Sequence, residues 1–228
     1  MGGQACVLYG AAEFSRDIDF AVMASVENLG RLGEALGALD AEVIAFPPFE
    51  RVHLEGGHGV HFRARHPEAV GFRIDVLARM RGVDPFPELW RRRTTFELAG
   101  VGSVDALGLP DLVASKKTQR DKDWSMIRRL VEASLAGDGA RPTPERIAFW
   151  LRELRSPELL IACAGQYGPE ARAIGEERAA VRAALGQDLD AVRGELAAEE
   201  ERERAVDREY WAPLRAELEQ MRRGRERG

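Results

Sequence analysis

Three aspartates stand in segments that predict strands, where their side chains could do chemistry. In DIDFAV, Asp17 and Asp19 alternate with apolar residues, and in FRIDVL Asp75 has apolar residues on either side. Because successive side chains of a strand point to opposite faces, Asp17 and Asp19 project together. Neighbouring carboxylates cost free energy unless water, a basic group or a cation compensates them.

A lone D-x-D pattern is also common at sheet edges, so the first two aspartates alone leave that alternative open. Asp75, a third carboxylate on the polar face of an apolar strand, favours a metal. Mg²⁺ prefers oxygen ligands and shares its remaining positions with water and substrate phosphates. The three aspartates therefore predict a phosphoryl-transfer site with one or two divalent cations.

A basic segment adds a second candidate. The stretch from Gly108 to Gly137 predicts one long helix whose apolar stripe is interrupted in the middle by Lys116, Arg120 and Asp123. Either this run is simply solvated, or it binds phosphate. In the second alternative, Lys116 or Lys117 neutralises phosphate charge together with Arg120. Asp123 would then orient these cations.

Hydrophobic periodicity gives the order of elements, with strands and helices first and only helices afterwards. It predicts a strand in DIDFAVMA, a helix after Ser25, a short strand in AEVIAF, two strands joined by a turn over 58–79, a turn-rich connection from 84 into a strand, the long helix, and helices from 144 onward. The segment 138–144 (DGARPTP) is the predicted linker. We therefore expect an α+β (or α/β) domain over 1–137 and a helical C-terminal region over 142–228.

Composition and net charge limit the kinds of partner that we expect for this protein. The chain has 228 residues, 45% of them hydrophobic, and a net charge of −5. This balance gives no support to binding nucleic acid by bulk charge. No apolar run approaches the roughly 18 residues needed to span a bilayer. We expect a protein of the cytoplasm with no membrane partner.

Taken in order, the segments GGQACVLYG…EFSRDIDFAV, FRIDVL and LPDLVASKKTQRDKD resemble the nucleotidyltransferase superfamily. The likeness is greatest to the minimal and AbiEii-like branches found in toxin–antitoxin systems, and it covers residues 2–135. It implies a polymerase-beta-like mixed sheet flanked by helices. It also implies Mg²⁺- or Mn²⁺-dependent transfer of a nucleoside monophosphate from an NTP to an acceptor hydroxyl, with release of pyrophosphate.

The resemblance implies roles for the first set of residues. Gly2 and Gly3 would contact nucleotide phosphates, such as those of ATP, through backbone N–H groups at a helix start. Asp17 and Asp19 would hold the metals. Asp75 would complete the metal site and could act as a base on the acceptor hydroxyl.

For the basic segment, the resemblance implies that Lys116 or Lys117 binds phosphate with Arg120, and that Asp123 supports them. The acceptor could be a partner toxin protein, a tRNA end or a small molecule. Two departures from the family stand out. Glu13 occupies the region where members usually carry a basic residue, with Arg16 nearby. Met1 directly precedes the Gly-Gly pair, where members have a strand, so we expect either a shortened start or a lost edge strand.

These departures favour a second hypothesis, a catalytically weak antitoxin-like or regulatory module that acts through protein contacts. Other signals are weaker. The four histidines between 53 and 66 leave a zinc site or a place near a nucleotide base open, besides a plain polar strand face. The run WRRRTT could contact nucleic acid or be solvated. The C-terminal helices could form a homo- or hetero-oligomer.

Overall fold

The computed structural model describes residues 1–137 and 142–225. The chain forms two compact units. The sheet unit comprises Met1–Leu8, Ala12–Ser115 and Glu209–Gly228, and the helical unit comprises Tyr9–Ala11 and Lys116–Arg208. The predicted class is confirmed, since the chain combines α and β structure with a mixed sheet and a helical C-terminal region.

The sheet unit contains the strands β1 (Asp17–Ala21), β2 (Glu42–Val43), β3 (Val60–Arg63), β4 (Arg73–Leu77), β5 (Thr94–Leu98) and β6 (Gly102–Ala106). Its helices are α1 (Gly2–Leu8), α2 (Val26–Ala38), α3 (Arg51–Gly56), α4 (Phe86–Arg91) and α5 (Leu109–Ser115). The helical unit contains α6 (Asp121–Gly137), α7 (Pro144–Glu153), α8 (Pro157–Gln166), α9 (Gly168–Gly175) and α10 (Ala179–Leu185). A last helix, α11 (Leu189–Arg225), contributes residues to both units.

Four strands form a mixed sheet in the order β1-β4-β3-β2, in which β1 runs parallel to β4 and the other pairs are antiparallel. The predicted alternation in β4 is confirmed, because Ile74 and Val76 are buried. They pack with Leu54, Val60 and Phe62 in the core of the sheet unit. The polar face of the same strands is thereby left for charged side chains.

Several local predictions are confirmed. The helix α2 begins after Ser25, whose hydroxyl accepts a hydrogen bond from the backbone N–H of Asn28. The connection from 84 leads into a strand, β5, as expected. It also contains the short helix α4, which was missed because its prolines resemble a turn. Pro87 lies in the first turn of α4, where a missing N–H costs nothing.

The single long helix predicted over 108–137 is wrong. The chain leaves α5 at Ser115 and starts α6 at Asp121. Thr118 accounts for the break, because its hydroxyl donates to Asp123 at 2.6 Å and its carbonyl accepts from the indole of Trp124 at 2.7 Å. Side chains that bond nearby backbone or side-chain groups in this way compete with helical hydrogen bonds. The charged residues 116–120 therefore lie in a connection between two helices and not on a helix stripe.

The helical unit has its own apolar core, which includes Leu130, Trp150, Leu154 and Leu160. The predicted linker lies partly outside the described residues, at 138–141, and the helix α7 after it is capped by Thr143. Among the described helices, none is long and apolar enough to cross a membrane.

Candidate active site

The register of β1 against β4 brings two of the three predicted carboxylates together. Asp19 is the Cα partner of Asp75, and Asp17 is the partner of Arg73. On the next strand His61 is the partner of Asp75. These five residues share one face of the sheet, which we call the carboxylate face.

Asp75 is largely enclosed, with 13% of its side chain exposed. Its Oδ1 accepts hydrogen bonds from Nδ1 of His61 and from Nε of Arg73, both at 2.8 Å. Because the carboxylate is an acceptor, the proton of the imidazole lies on Nδ1. The Arg73 nitrogen found 3.2 Å from Nδ1 is then a close neighbour and not a donor to it.

Opposing effects act on the acidity of Asp75. Burial raises the pKa of its carboxyl group, but the hydrogen bonds and charges of His61 and Arg73 outweigh burial and hold that pKa below its ordinary value. A carboxyl group of lowered pKa takes up protons poorly, which disfavours the role of general base for Asp75.

Asp19 is fitted against the start of α1. The N–H of Gly3 lies 3.4 Å from Oδ2 of Asp19, and the amino group of Met1 donates to the Asp19 carbonyl at 2.7 Å. Gly2 has a φ of +64°, and a Cβ built on it would lie 1.8 Å from Oδ2 of Asp19. The first glycine is therefore required by the close approach of a carboxylate. The phosphate contacts expected of Gly2 and Gly3 stay a prediction.

In the helical unit, the predicted phosphate-binding residues form a cluster around a buried carboxylate. Asp123 accepts a hydrogen bond of 2.7 Å from Nε of Arg120 and lies 3.8 Å from Nζ of Lys116. Lys117 instead forms an ion pair with Glu153 at 2.9 Å. The structure thus brings Lys116, Arg120 and Asp123 together as expected and assigns Lys117 to a different carboxylate.

Three of the four histidines lie close to a carboxylate, the longest of these contacts being 3.9 Å between His53 and Glu50. His61 belongs to the carboxylate face, and the buried His58 is bonded to Glu217 at 2.8 Å. The sequence analysis did not predict that His61 contacts Asp75, although the alternation of the predicted strand places His61 on its polar face. Within residues 1–137 and 142–225, no three Cys, His, Asp or Glu side chains form a group that could hold a metal ion.

The carboxylate face nevertheless suits Mg²⁺ in its chemistry, since it offers carboxylate oxygens from adjacent strands. Its present arrangement is one of ion pairs, with Asp75 bound to a guanidinium and an imidazole. A divalent cation that used the same oxygen of Asp75 would have to displace these donors.

The arginine run in WRRRTT is paired within the sheet unit. Arg91 pairs with Glu88, Arg92 with Asp84 and Asp111, and Arg93 with Asp105. The guanidinium of Arg93 also lies 4.1 Å from the ring centre of Trp90. These contacts favour a structural role for the run over contact with a nucleic-acid backbone.

A cleft of about 640 Å³ lies at the carboxyl ends of β1 and β4. The segments that directly follow the two strands, 22–25 and 78–80, line it together with 83–87 and parts of α3. The carboxyl ends of parallel strands are frequent positions for ligand sites. The volume lies within the range of roughly 300–1,000 Å³ found for small-molecule pockets.

Comparison of the chain with protein-family models, with curated proteins and with solved structures returned no match.

Proposed function

We propose that the protein is a metal-dependent nucleotidyltransferase that moves a nucleoside monophosphate from an NTP to an acceptor hydroxyl. The observation that supports this most is the register of two parallel strands, which sets Asp19 beside Asp75 on the same face as Asp17. Three acids on neighbouring strands favour binding of a cation, because Arg73 brings a single positive charge to this face. The motifs that resemble the nucleotidyltransferase superfamily supply the reaction class.

In this proposal, Asp17, Asp19 and Asp75 hold one or two Mg²⁺ or Mn²⁺ ions. The bound metal would stabilise negative charge on the transferred phosphate and on the leaving oxygen. The acceptor hydroxyl releases its proton to solvent and its oxygen forms a bond to the α-phosphorus. The bond from that phosphorus to the oxygen of the β-phosphate breaks, and pyrophosphate leaves. The cleft at the ends of β1 and β4 offers room for part of a substrate.

For the helical unit, we propose that Lys116 and Arg120 bind phosphate oxygens while Asp123 holds their side chains in place. The ion pair of 2.7 Å between Arg120 and Asp123 supports this orienting role. Lys117, engaged by Glu153, is the weaker of the two lysine candidates.

The experiment is a melting series with each of the four NTPs, with and without Mg²⁺ or Mn²⁺. A ligand at 100 times its Kd adds about 2.7 kcal/mol to the free energy of unfolding. We expect one NTP to stabilise the protein only when metal is present, and we expect Asp17→Asn/Asp19→Asn to lose this effect. Glu34→Gln/Glu68→Gln, which removes two exposed carboxylates from the same unit, is the matched control and should respond like the wild type.

Stabilisation that persists in Asp17→Asn/Asp19→Asn, or the lack of stabilisation by every NTP, would contradict the enzyme proposal. If the expected pattern is found, α-labelled NTP incubated with cell extract identifies the acceptor. The label would move to protein, to tRNA or to a small molecule.

One observation favours the second candidate function, a catalytically weak antitoxin-like or regulatory module. Asp75 already has a guanidinium and an imidazole as partners, so the carboxylate face can persist without metal. A stable complex with a partner protein that is undiminished by Asp17→Ala, together with no response to any NTP, would support this function over catalysis.

A further inference from the structure

Arg73 lies among the acids of the carboxylate face. It precedes Asp75 by two positions on β4, so both side chains lie on the same side of the strand, and its partner in β1 is Asp17. Its Nε donates to Oδ1 of Asp75 at 2.8 Å. The side chain of Arg73 is 41% exposed, so it can leave this position without disturbing the core.

The electrostatics of Arg73 reflect all three acids. Arg73 donates a hydrogen bond to Asp75, its pairing partner on β1 is Asp17, and Asp19 is the pairing partner of Asp75 on the same face. Arg73 therefore already provides much of the compensation that three neighbouring carboxylates require.

A divalent cation at this face would compete with Arg73 in two ways. It would need carboxylate oxygens in a near-ideal octahedral arrangement, whereas Oδ1 of Asp75 is shared by two donors. It would also be repelled by the guanidinium charge as long as that group stays beside Asp75.

We propose that Arg73 is a built-in counter-cation, which occupies the carboxylate face in the metal-free protein and must release Asp75 before a divalent cation binds there. This inference rests on the proposed function, since it concerns the metal of the same site. It adds a regulatory property: the affinity for metal is set by an arginine of the chain and not by the three acids alone.

The test measures binding of Mn²⁺ alone, from the electron paramagnetic resonance signal of free Mn²⁺, in the full-length wild type and in Arg73→Gln. We expect Arg73→Gln to bind Mn²⁺ about tenfold more tightly, because a positive charge beside the site is removed. Arg73→Lys keeps the charge on a shorter side chain and should stay within about threefold of the wild type.

Arg63→Gln is the matched control. Arg63 is the partner of Arg73 on β3, so it lies on the same face, but it is exposed and forms no ion pair with Asp75 in the described structure. Its loss should change the Mn²⁺ affinity by less than about twofold, because an exposed charge is screened by solvent.

The outcomes separate the two proposals. If the wild type and Arg73→Gln bind Mn²⁺ equally, or if Arg63→Gln gains as much affinity as Arg73→Gln, the inference is overturned while the NTP melting series still decides the function. If neither protein binds Mn²⁺ and no NTP stabilises either, both proposals fail. Circular-dichroism melting of the variants verifies that they are folded before their affinities are compared.

Discussion

Two arginine–carboxylate pairs differ in how far they are exposed to solvent. In the sheet unit Arg73 pairs with Asp75, and in the helical unit Arg178 pairs with Glu199. The side chain of Arg73 is 41% exposed, whereas those of Arg178 and Glu199 are only 9% and 15% exposed. Arg178 makes two bonds of 2.9 Å to Glu199 and donates further to the carbonyls of Leu151 and Leu154. Arg73 makes a single bond to Asp75.

This difference in exposure and bonding indicates which of the two ion pairs can change its partners. The donors of Arg178 are directed at fixed backbone and carboxylate groups, so moving it would leave buried polar atoms without partners. Arg155, which also pairs with Glu199, packs its guanidinium 4.9 Å from the ring centre of Trp124. This buried network ties helices together. Arg73 is much more exposed to solvent, as the proposed release of Asp75 requires.

The largest expected effect comes from breaking the buried network with Arg178→Met. We expect a loss of about 3 kcal/mol or more in the free energy of unfolding, because Glu199 would remain buried without its main partner. Urea unfolding followed by tryptophan fluorescence measures the loss. Arg193→Met is the control, since Arg193 pairs with Glu158 at the surface and should cost under about 1 kcal/mol. Equal losses in the two variants would remove the contrast between buried and exposed pairs.

A smaller effect is expected at the close approach between Gly2 and Asp19. In Gly2→Ala, the methyl group would collide with Oδ2 of Asp19, in addition to the strain of a positive φ. We expect the amides of α1 to exchange with solvent at least about tenfold faster, equivalent to 1.4 kcal/mol. Hydrogen-exchange mass spectrometry of the N-terminal peptide measures this.

Gly10→Ala separates the collision from the strain. Gly10 also has a positive φ, of +72°, but a Cβ there would meet nothing within 4 Å. The expected result is a clearly smaller change in Gly10→Ala. If both variants accelerated amide exchange equally, the positive φ alone, and not the contact with Asp19, would explain why position 2 needs glycine.

The smallest expected effect is the pH dependence contributed by Asp75. Because its pKa is lower in the folded than in the unfolded protein, its ionised form stabilises the fold above about pH 4, and this contribution is lost as the pH falls through the folded value. Asp75→Asn should therefore cost about 1 kcal/mol at neutral pH and less at acid pH. Denaturant unfolding between pH 3 and pH 7 measures this, with Glu34→Gln as the control. If the stability difference between the wild type and Asp75→Asn grew toward acid pH, it would have the wrong sign and would contradict a lowered pKa for Asp75.

Local pattern was enough for much of the sheet unit. The strands in DIDFAV and FRIDVL and the cap at Ser25 are properties of neighbouring residues, and the structure agrees with them. The alternation of burial is clear in FRIDVL, whereas in β1 Phe20 is exposed although its face was predicted to be buried. The break between α5 and α6 could not be read in the same way. The break depends on the hydrogen bond from the Thr118 side chain to Asp123. Because the residues on both sides of the break follow the helical period, the sequence pattern does not reveal it.

Local sequence pattern could not predict which residues contact the three aspartates. Sequence by itself determined that Asp17 and Asp19 share a face, because side chains in a strand alternate with a period of two. Only the tertiary structure decided that Asp19 lies beside Asp75 and that Asp75 is held by Arg73 and His61. The pairing of β1 with β4 and of β4 with β3 joins distant segments, and the register of such pairs is set by the packing of the buried face and not by the residues that carry the charge.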